Sequence, residues 1–457
     1  MAEVRRIHIE FTNQDLRRLI VPLVIEQLLA ITVGLFDSVM VSQVGEAAIS
    51  AVSLVDTVNV LLVNAFSALA TGGAVIAGQY LGRREAEKAG HSGAQLLLFM
   101  GEASLLIMAL FYLAKGFVLG VVFGQVEPDV AAYANTYYMI VEASIPFLAI
   151  YSAGAALFRV MGNSKISMWV SLMMNLINVA GNAILIFGVR MGVEGVAIPT
   201  LVSRGVAAVV MVGLLRRPGL PLRVEKFTLR HDRYVVKNIL RFGVPNGLES
   251  SMFQLGRVFT LSMISGFGTY QIAANSTAGA LTNFAVIATT TTRIASLTVI
   301  GQCVGAHDME QIKVNFRKLM IISYISHAVF AILTVIFRFP LIHLYKKLEP
   351  ETVELAAQLL CIHLIPAIFL YPLSFFTSGP LRAANDSAFP MWVSILSMAI
   401  FRLTLAQILC VNLGWGAVGV WWAMIVDWCC RSVCFTVRWY RGKWRKKCGL
   451  DTLEVTQ

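Results

Sequence analysis

Asp37 stands near the end of a run that is hydrophobic back to Leu19, where a carboxylate is expensive to hold. Glu26 lies eleven residues before it. At about 100° per residue, eleven steps of a helix return to within about 20°, and at about 1.5 Å per residue the acids stand about 16 Å apart. They share a face and cannot touch. Further on, Ser171, Asn175, Asn178 and Asn182 fall at spacings of 4, 3 and 4, which is one stripe of a helix. A row of amides in an apolar helix must face the bundle interior or water. Two readings of the stripe stay open: glue between helices, or one wall of a hydrated pocket shared with Asp37. A carboxylate away from bulk water has its neutral form favoured by desolvation, so such a group can load and unload a proton.

The other isolated ionisable residues have plainer readings. Asp56, Glu102 and Glu142 fit helix ends or internal pairs, and Glu26 or Glu249 could pair with a basic residue. Arg204, Arg257 and Arg293 read first as gating or packing residues, the last two able to meet substrate or Glu249. His307 and Glu310 have HxxE spacing without further ligands, so no metal site is expected there. The seven cysteines show no paired CxxC spacing, and all but Cys448 lie in apolar runs. They read as soft core fillers.

The elements that must carry these residues follow from composition. Hydrophobic residues make up 57% and charged residues 14%, against about 25% charged in ordinary soluble domains. Apolar windows of about 20 residues, the length a bilayer core requires, recur along the whole chain. The fold class is therefore an all-α polytopic membrane protein. Twelve spans are expected, near 15–42, 47–80, 88–113, 130–159, 165–188, 193–215, 236–266, 270–303, 314–338, 353–381, 388–411 and 416–438. Short alternating segments of a β-barrel are not seen, and the start shows no cleaved signal peptide. Lys and Arg cluster at 5–18, 83–88, 216–241, 313–318 and 438–447, while alternate loops hold few: Lys115, Arg190, Arg338, Lys346 and Lys347. This positive-inside pattern places both termini in the cytoplasm of a plasma-membrane protein. It assigns the net charge of +11 to topology and attraction to membrane lipid, and no nucleic-acid partner is expected.

The halves are copies at a constant offset of 223. Val21-Pro22 matches Val244-Pro245, Glu26 matches Glu249, and Met40, Ser42 and Gly45 match Met263, Ser265 and Gly268. "GQYLG" at 78–82 returns as "GQCVG" at 301–305, Arg159 as Arg382, and "MWVS" at 168–171 as "MWVS" at 391–394. Six helices per copy make these parallel repeats, related by an axis along the membrane normal. The expected organisation is an N-terminal lobe at 1–215, a cytoplasmic linker at 216–234, and a C-terminal lobe at 235–457 with a basic tail. Matched residues read as serving the shared fold, whereas unmatched ones need a local reason. Asp37 faces Thr260 in the second copy, and Asn175, Asn178 and Asn182 face Met398, Phe401 and Leu405.

The segments "FDSVMVSQVGEAAISAVSL", "AGQYLGRREAEKAG", "LFRVMGNSKISMWVSLMMNLINVAGN" and "GVEGVAIPTLVSR" resemble the multidrug and toxic compound extrusion (MATE) family. Their second-half counterparts "FGTYQIAANS" and "LRAANDSAFPMWVSILS" fit as well. The resemblance implies two six-helix lobes arranged as a V. It also implies a secondary active antiporter that exports organic cationic or amphipathic compounds against inward H⁺ or Na⁺. Asp37 matches the family's cation-binding aspartate, and Asn178 and Thr200 match residues of the same pocket. Asn182 stands where some relatives carry a second aspartate, which is compatible with one proton-titrating carboxylate or with Na⁺ held by Asp37 and neutral oxygens. The same resemblance implies a monomer that handles a small-molecule substrate without a cofactor. A related reading is a lipid-precursor flippase, whose cavity would be cationic; Arg204, Arg257 and Arg293 keep it open. A membrane-embedded hydrolase finds no HExxH or GxSxG set, so no enzyme is expected. A passive channel would conduct without a coupling ion.

Overall fold

Long apolar runs punctuated by Gly, Pro and charged turns fold into helices, since only a helix satisfies its backbone polar groups within one lipid-exposed segment. In the computed structural model, residues 7–122, 127–225, 230–345, 348–448 and 450 are described. The first copy contributes α1 (Asn13–Ser42), α2 (Glu46–Gly82), α3 (Ala86–Leu113), the bent α4 (Pro128–Glu142 and Ile145–Val160), α5 (Ser164–Gly188) and α6 (Glu194–Leu215). The second contributes α7 (Arg233–Ser265), α8 (Thr269–Gly305), α9 (Met309–Ile336), α10 (Pro350–Ala383), α11 (Ala388–Asn412) and α12 (Ala417–Tyr440). Ten of these twelve rods are singly long and apolar enough to span a membrane, and the 45° pair of α4 together makes an eleventh. The remaining rod, α7, carries Arg241, Glu249 and Arg257 along its 33 residues. No strand occurs among the described residues.

Thr12–Gly247 forms one compact unit, and the described residues of Met1–Phe11 and Leu248–Gln457 form the other. The division falls inside α7, so the first half of that helix packs with the first unit. There a Cβ on Gly72 would lie 2.6 Å from the backbone nitrogen of Gly243. The leading segment joins the second unit instead: Ile7 N–H donates to the Ala306 carbonyl at 3.3 Å, and His8 sits 3.0 Å from Asp308. The described part of the 216–234 segment is docked on the first unit. Leu222 and Val224 are buried, the Arg223 carbonyl approaches Gly90, and the Gln95 amide donates to the Arg230 carbonyl at 2.8 Å. Its residues 226–229, like Arg5, Arg6, Lys346, Lys347 and the tail beyond 450, lie outside the described residues.

In the first unit two apolar cores flank the polar residues. One gathers Phe66, Leu96, Met100, Leu157 and Phe158; the other gathers Met40, Val55, Tyr138 and Val196, with Val179 and Ala183 packed against it. In the second unit one core gathers around Leu281, Leu360, Trp421 and Trp428. Pro22 and Pro245 lie inside unbroken helices. A Cβ on Gly78 would meet Val160 at 3.4 Å, whereas one on Gly301 would have nothing within 4 Å. Of the cysteines, Cys303 and Cys410 are buried and Cys429 is exposed, which narrows the core-filler reading to those two.

Candidate functional site

α1, α5 and α6 bring the first copy's unmatched polar residues together. The Asn182 side-chain amide donates to the Asp37 carboxylate at 2.8 Å and to Asn178 Oδ1 at 3.3 Å. The Asn178 amide donates to Thr200 Oγ1 at 3.0 Å, and the Thr200 hydroxyl donates to the Val196 carbonyl at 3.1 Å. Asp37 is half-buried; Asn178 and Asn182 are buried. The chain has one direction because an ionised carboxylate can only accept. Asn182 must turn its NH₂ toward Asp37, and its own Oδ1 is then buried without a partner among the described residues.

Close helix packing makes this contact possible. A Cβ on Gly181 would come within 2.7 Å of the Pro199 ring, so glycine lets α5 approach α6 beside the Asn178–Thr200 bond. Pro199 inside α6 also lacks an N–H for the helical ladder. Beyond Asn182, α5 winds as a π-helix over Ile184–Gly188. Asn175 lies on the stripe and is buried, yet its Nδ2 has no partner among the described residues.

Sequence reading undervalued the neighbours of this chain. Asp56 accepts from the Tyr137 hydroxyl at 3.3 Å and from the Asn59 amide at 3.5 Å. Arg204 donates to Ser144 Oγ at 2.7 Å, at the bend of α4. The charges of Asp37, Asp56 and Glu142 all act on Arg204, and those of Asp56 and Arg204 act on Asp37. Glu142 is fully buried, with neither oxygen hydrogen-bonded among the described residues. The signal available earlier was the shared acidity of Asp56 and Glu142 around a single intramembrane arginine, which spacing along separate helices does not reveal.

The matched glutamates sit elsewhere and do equivalent things. Glu26 accepts from Arg159 at 2.9 Å and from the Ser167 hydroxyl at 2.9 Å. Glu249 pairs with Arg382 and accepts from the Ser394 hydroxyl at 3.0 Å. Each ties three helices of its own unit. Arg293 lies within electrostatic reach of Arg382 and Glu249, while Arg257 faces a separate cavity of about 470 Å³ inside the second unit. Asp427, the counterpart of Arg204, is buried with its carboxylate on the Ser397 hydroxyl and 3.7 Å from Arg431.

The duplicated fold decides the family. The MatE family model matches residues 22–184 and again 245–408, more than half of the chain. The chain belongs to the MatE family. Both matches begin at the paired prolines, 223 residues apart, so the repeat seen in the residues is the repeat of the family itself. This MatE chain is similar to the uncharacterized transporter YisQ of Bacillus subtilis, at 26% identity with 93% of this chain and 94% of that protein covered. It is 23% identical to the probable multidrug resistance protein NorM of Thermotoga maritima, with 97% and 96% covered. A crystal structure of MATE in the bent conformation superposes with a TM-score of 0.86 at 18% identity over 97% of each chain. The chain is thus a multi-pass membrane protein of a multidrug efflux transporter family, with the twelve-helix, two-lobe MATE fold.

Proposed function

We propose that this chain is a secondary active antiporter that exports organic compounds in exchange for inward H⁺ or Na⁺, with Asp37 as the coupling carboxylate. The observation that carries the reading is the one-directional chain Asp37–Asn182–Asn178–Thr200, present in one copy of a duplicated fold. With Asp37 ionised, Asn182 Oδ1 is a buried oxygen without a donor, on the same amide that faces the carboxylate. A proton on Asp37 supplies a donor beside that oxygen. Na⁺ instead takes the carboxylate, the free amide oxygen and neighbouring neutral oxygens as a hard-oxygen set. Either ion neutralises Asp37, removes a reason for water and cationic substrate to stay, and lets the Pro22-containing helix repack while substrate leaves outward. The lobes then rock and the ion leaves inward.

In this reading the protein is a monomer in the plasma membrane with both termini cytoplasmic, and it uses no cofactor. The test is dye efflux from vesicles with pH and Na⁺ gradients imposed separately. Asp37→Asn is expected to express normally and to lose gradient-driven efflux; undiminished efflux by that variant would overturn the assignment. The flippase reading gains from Arg257, which lines the cavity of the second unit, and loses the other two arginines, because Arg204 bonds within the first unit and Arg293 lies outside that lining.

A further inference from the structure

The second unit's cavity of about 470 Å³ is lined from five helices by Arg257 of α7, Asn275 of α8, His363 of α10, Arg402 of α11 and Trp421 of α12, with Thr260 beside Arg257. No carboxylate is among its lining residues, and neither Arg257 nor Arg402 pairs with an acid among the described residues. The acid whose charge acts on Arg402 is Asp427, already engaged by Ser397 and Arg431. Among the described residues Arg402 Nε is buried without a hydrogen-bond partner, and so are both ring nitrogens of His363, which is 6% exposed. Trp421 Nε1 donates to Asn275 Oδ1 at 2.8 Å, so the acceptor end of Asn275 is occupied and its NH₂ is left to donate. The strongest donors on the wall are thus the two guanidiniums and the Asn275 NH₂, beside the neutral oxygens of Thr260, Ser276, Thr282 and Asn283, while Trp421 and Met424 add apolar surface.

A guanidinium held partly out of water without an acid partner, as in half-buried Arg402, is costly, and planar anions relieve that cost through charge-assisted, bidentate bonds that exposed Arg257 can join. We infer that this cavity binds the carboxylate or phosphate of an amphipathic organic anion, whose apolar body lies against Trp421 and Met424. The inference rests on the export reading and adds to it an anionic class of substrate, handled in the second unit beside the cationic one. The repeat sharpens it. Arg257, His363 and Arg402 correspond to Gly34, Ile140 and Val179 of the first copy, while Thr260, which corresponds to Asp37, lines this cavity. One copy thus carries an acid, and the other carries bases around the equivalent position.

The test is equilibrium binding of 5-carboxyfluorescein to the purified full chain in detergent, by fluorescence anisotropy, without any ion gradient. Wild type is expected to bind it. Arg257→Gln and Arg402→Gln should each weaken binding about tenfold or more, as expected for losing a hydrogen bond to a charged group, and leave ethidium binding unchanged. Arg257→Lys and Arg402→Lys, keeping the charge, should lose far less, and this separates recognition from misfolding. Displacement by dioctanoyl phosphatidic acid assigns a lipid headgroup as the source of the anion; displacement by 1-naphthoate alone assigns a soluble carboxylate. Absence of binding, or equal binding by the Gln variants, overturns the inference. If binding fails while gradient-driven ethidium efflux persists, only this inference falls; if efflux fails while binding persists, the export reading falls instead.

Discussion

At the scale of single residues, one carboxylate sets the orientation of its neighbours. Asp37 accepts from Asn182, which orients that amide, which in turn fixes Asn178 toward Thr200. Removing the terminal hydroxyl is then expected to loosen the chain without discharging it. Thr200→Val should lower efflux several-fold and cost about 1 kcal/mol of stability, the net worth of one intramolecular hydrogen bond; initial efflux rates set beside the apparent Tm check both. Asn182→Leu removes the amide that donates to Asp37 and the spare oxygen together. It should abolish coupling as fully as Asp37→Asn, and partial coupling in vesicles would show that Asn182 is dispensable. Asp37 and the asparagine stripe were legible in the sequence because amides at spacings of 4, 3 and 4 have one periodicity to obey. Asp56, Tyr137, Glu142 and Arg204 were not legible as a group, since each sits on a helix whose rotation the pattern leaves open.

At the scale of elements, small residues and buried ion pairs hold the helices at the spacing the site needs. Gly181 against Pro199 is the close approach that brings the stripe of α5 to Thr200 of α6. Gly181→Val should push those helices apart, lowering both efflux and apparent Tm, while Gly205→Val, where nothing lies within 4 Å, serves as the neutral comparison. The pair of Glu249 and Arg382 links α7 to α10 in a buried setting. Breaking it by Arg382→Met alone leaves an uncompensated buried acid and is expected to cost about 3–5 kcal/mol, whereas Arg382→Met with Glu249→Met together should restore much of that loss. Thermal unfolding in detergent separates these outcomes. Helix type was hidden at this scale. Met398–Thr404 of α11 winds as a π-helix, whereas the corresponding residues 175–181 of α5 are ordinary α-helix. The π stretch carries Arg402, which sequence reading passed over although its counterpart is Val179.

At the scale of the whole molecule, duplication separates what both copies need from what one copy adds. The matched acids, Glu26 and Glu249, each take an arginine from the fourth helix of their own copy and a serine from the fifth. The serines differ by one turn: Ser394 corresponds to Ser171, not to Ser167, so the joint is conserved as a contact while its register shifts. Topology makes a prediction of its own. In a cysteine-free background, Arg84→Cys should react with an impermeant maleimide only in inside-out vesicles, and Arg190→Cys only in right-side-out ones, following the distribution of Lys and Arg. The opposite labelling would reverse the direction of export proposed here.

The sequence by itself determined the helical membrane class, the twelve spans and the repeat, because lipid leaves a chain few ways to satisfy its backbone and a duplicated register survives as matched residues. It also singled out Asp37, since a charge in an apolar run needs a local cause. Only the tertiary structure decided which polar groups meet. Asn182 on Asp37, Arg204 on Ser144, and Arg257 with Arg402 around one cavity depend on helix rotation, close approach and a π-helical turn, none of which a linear pattern of residue types specifies.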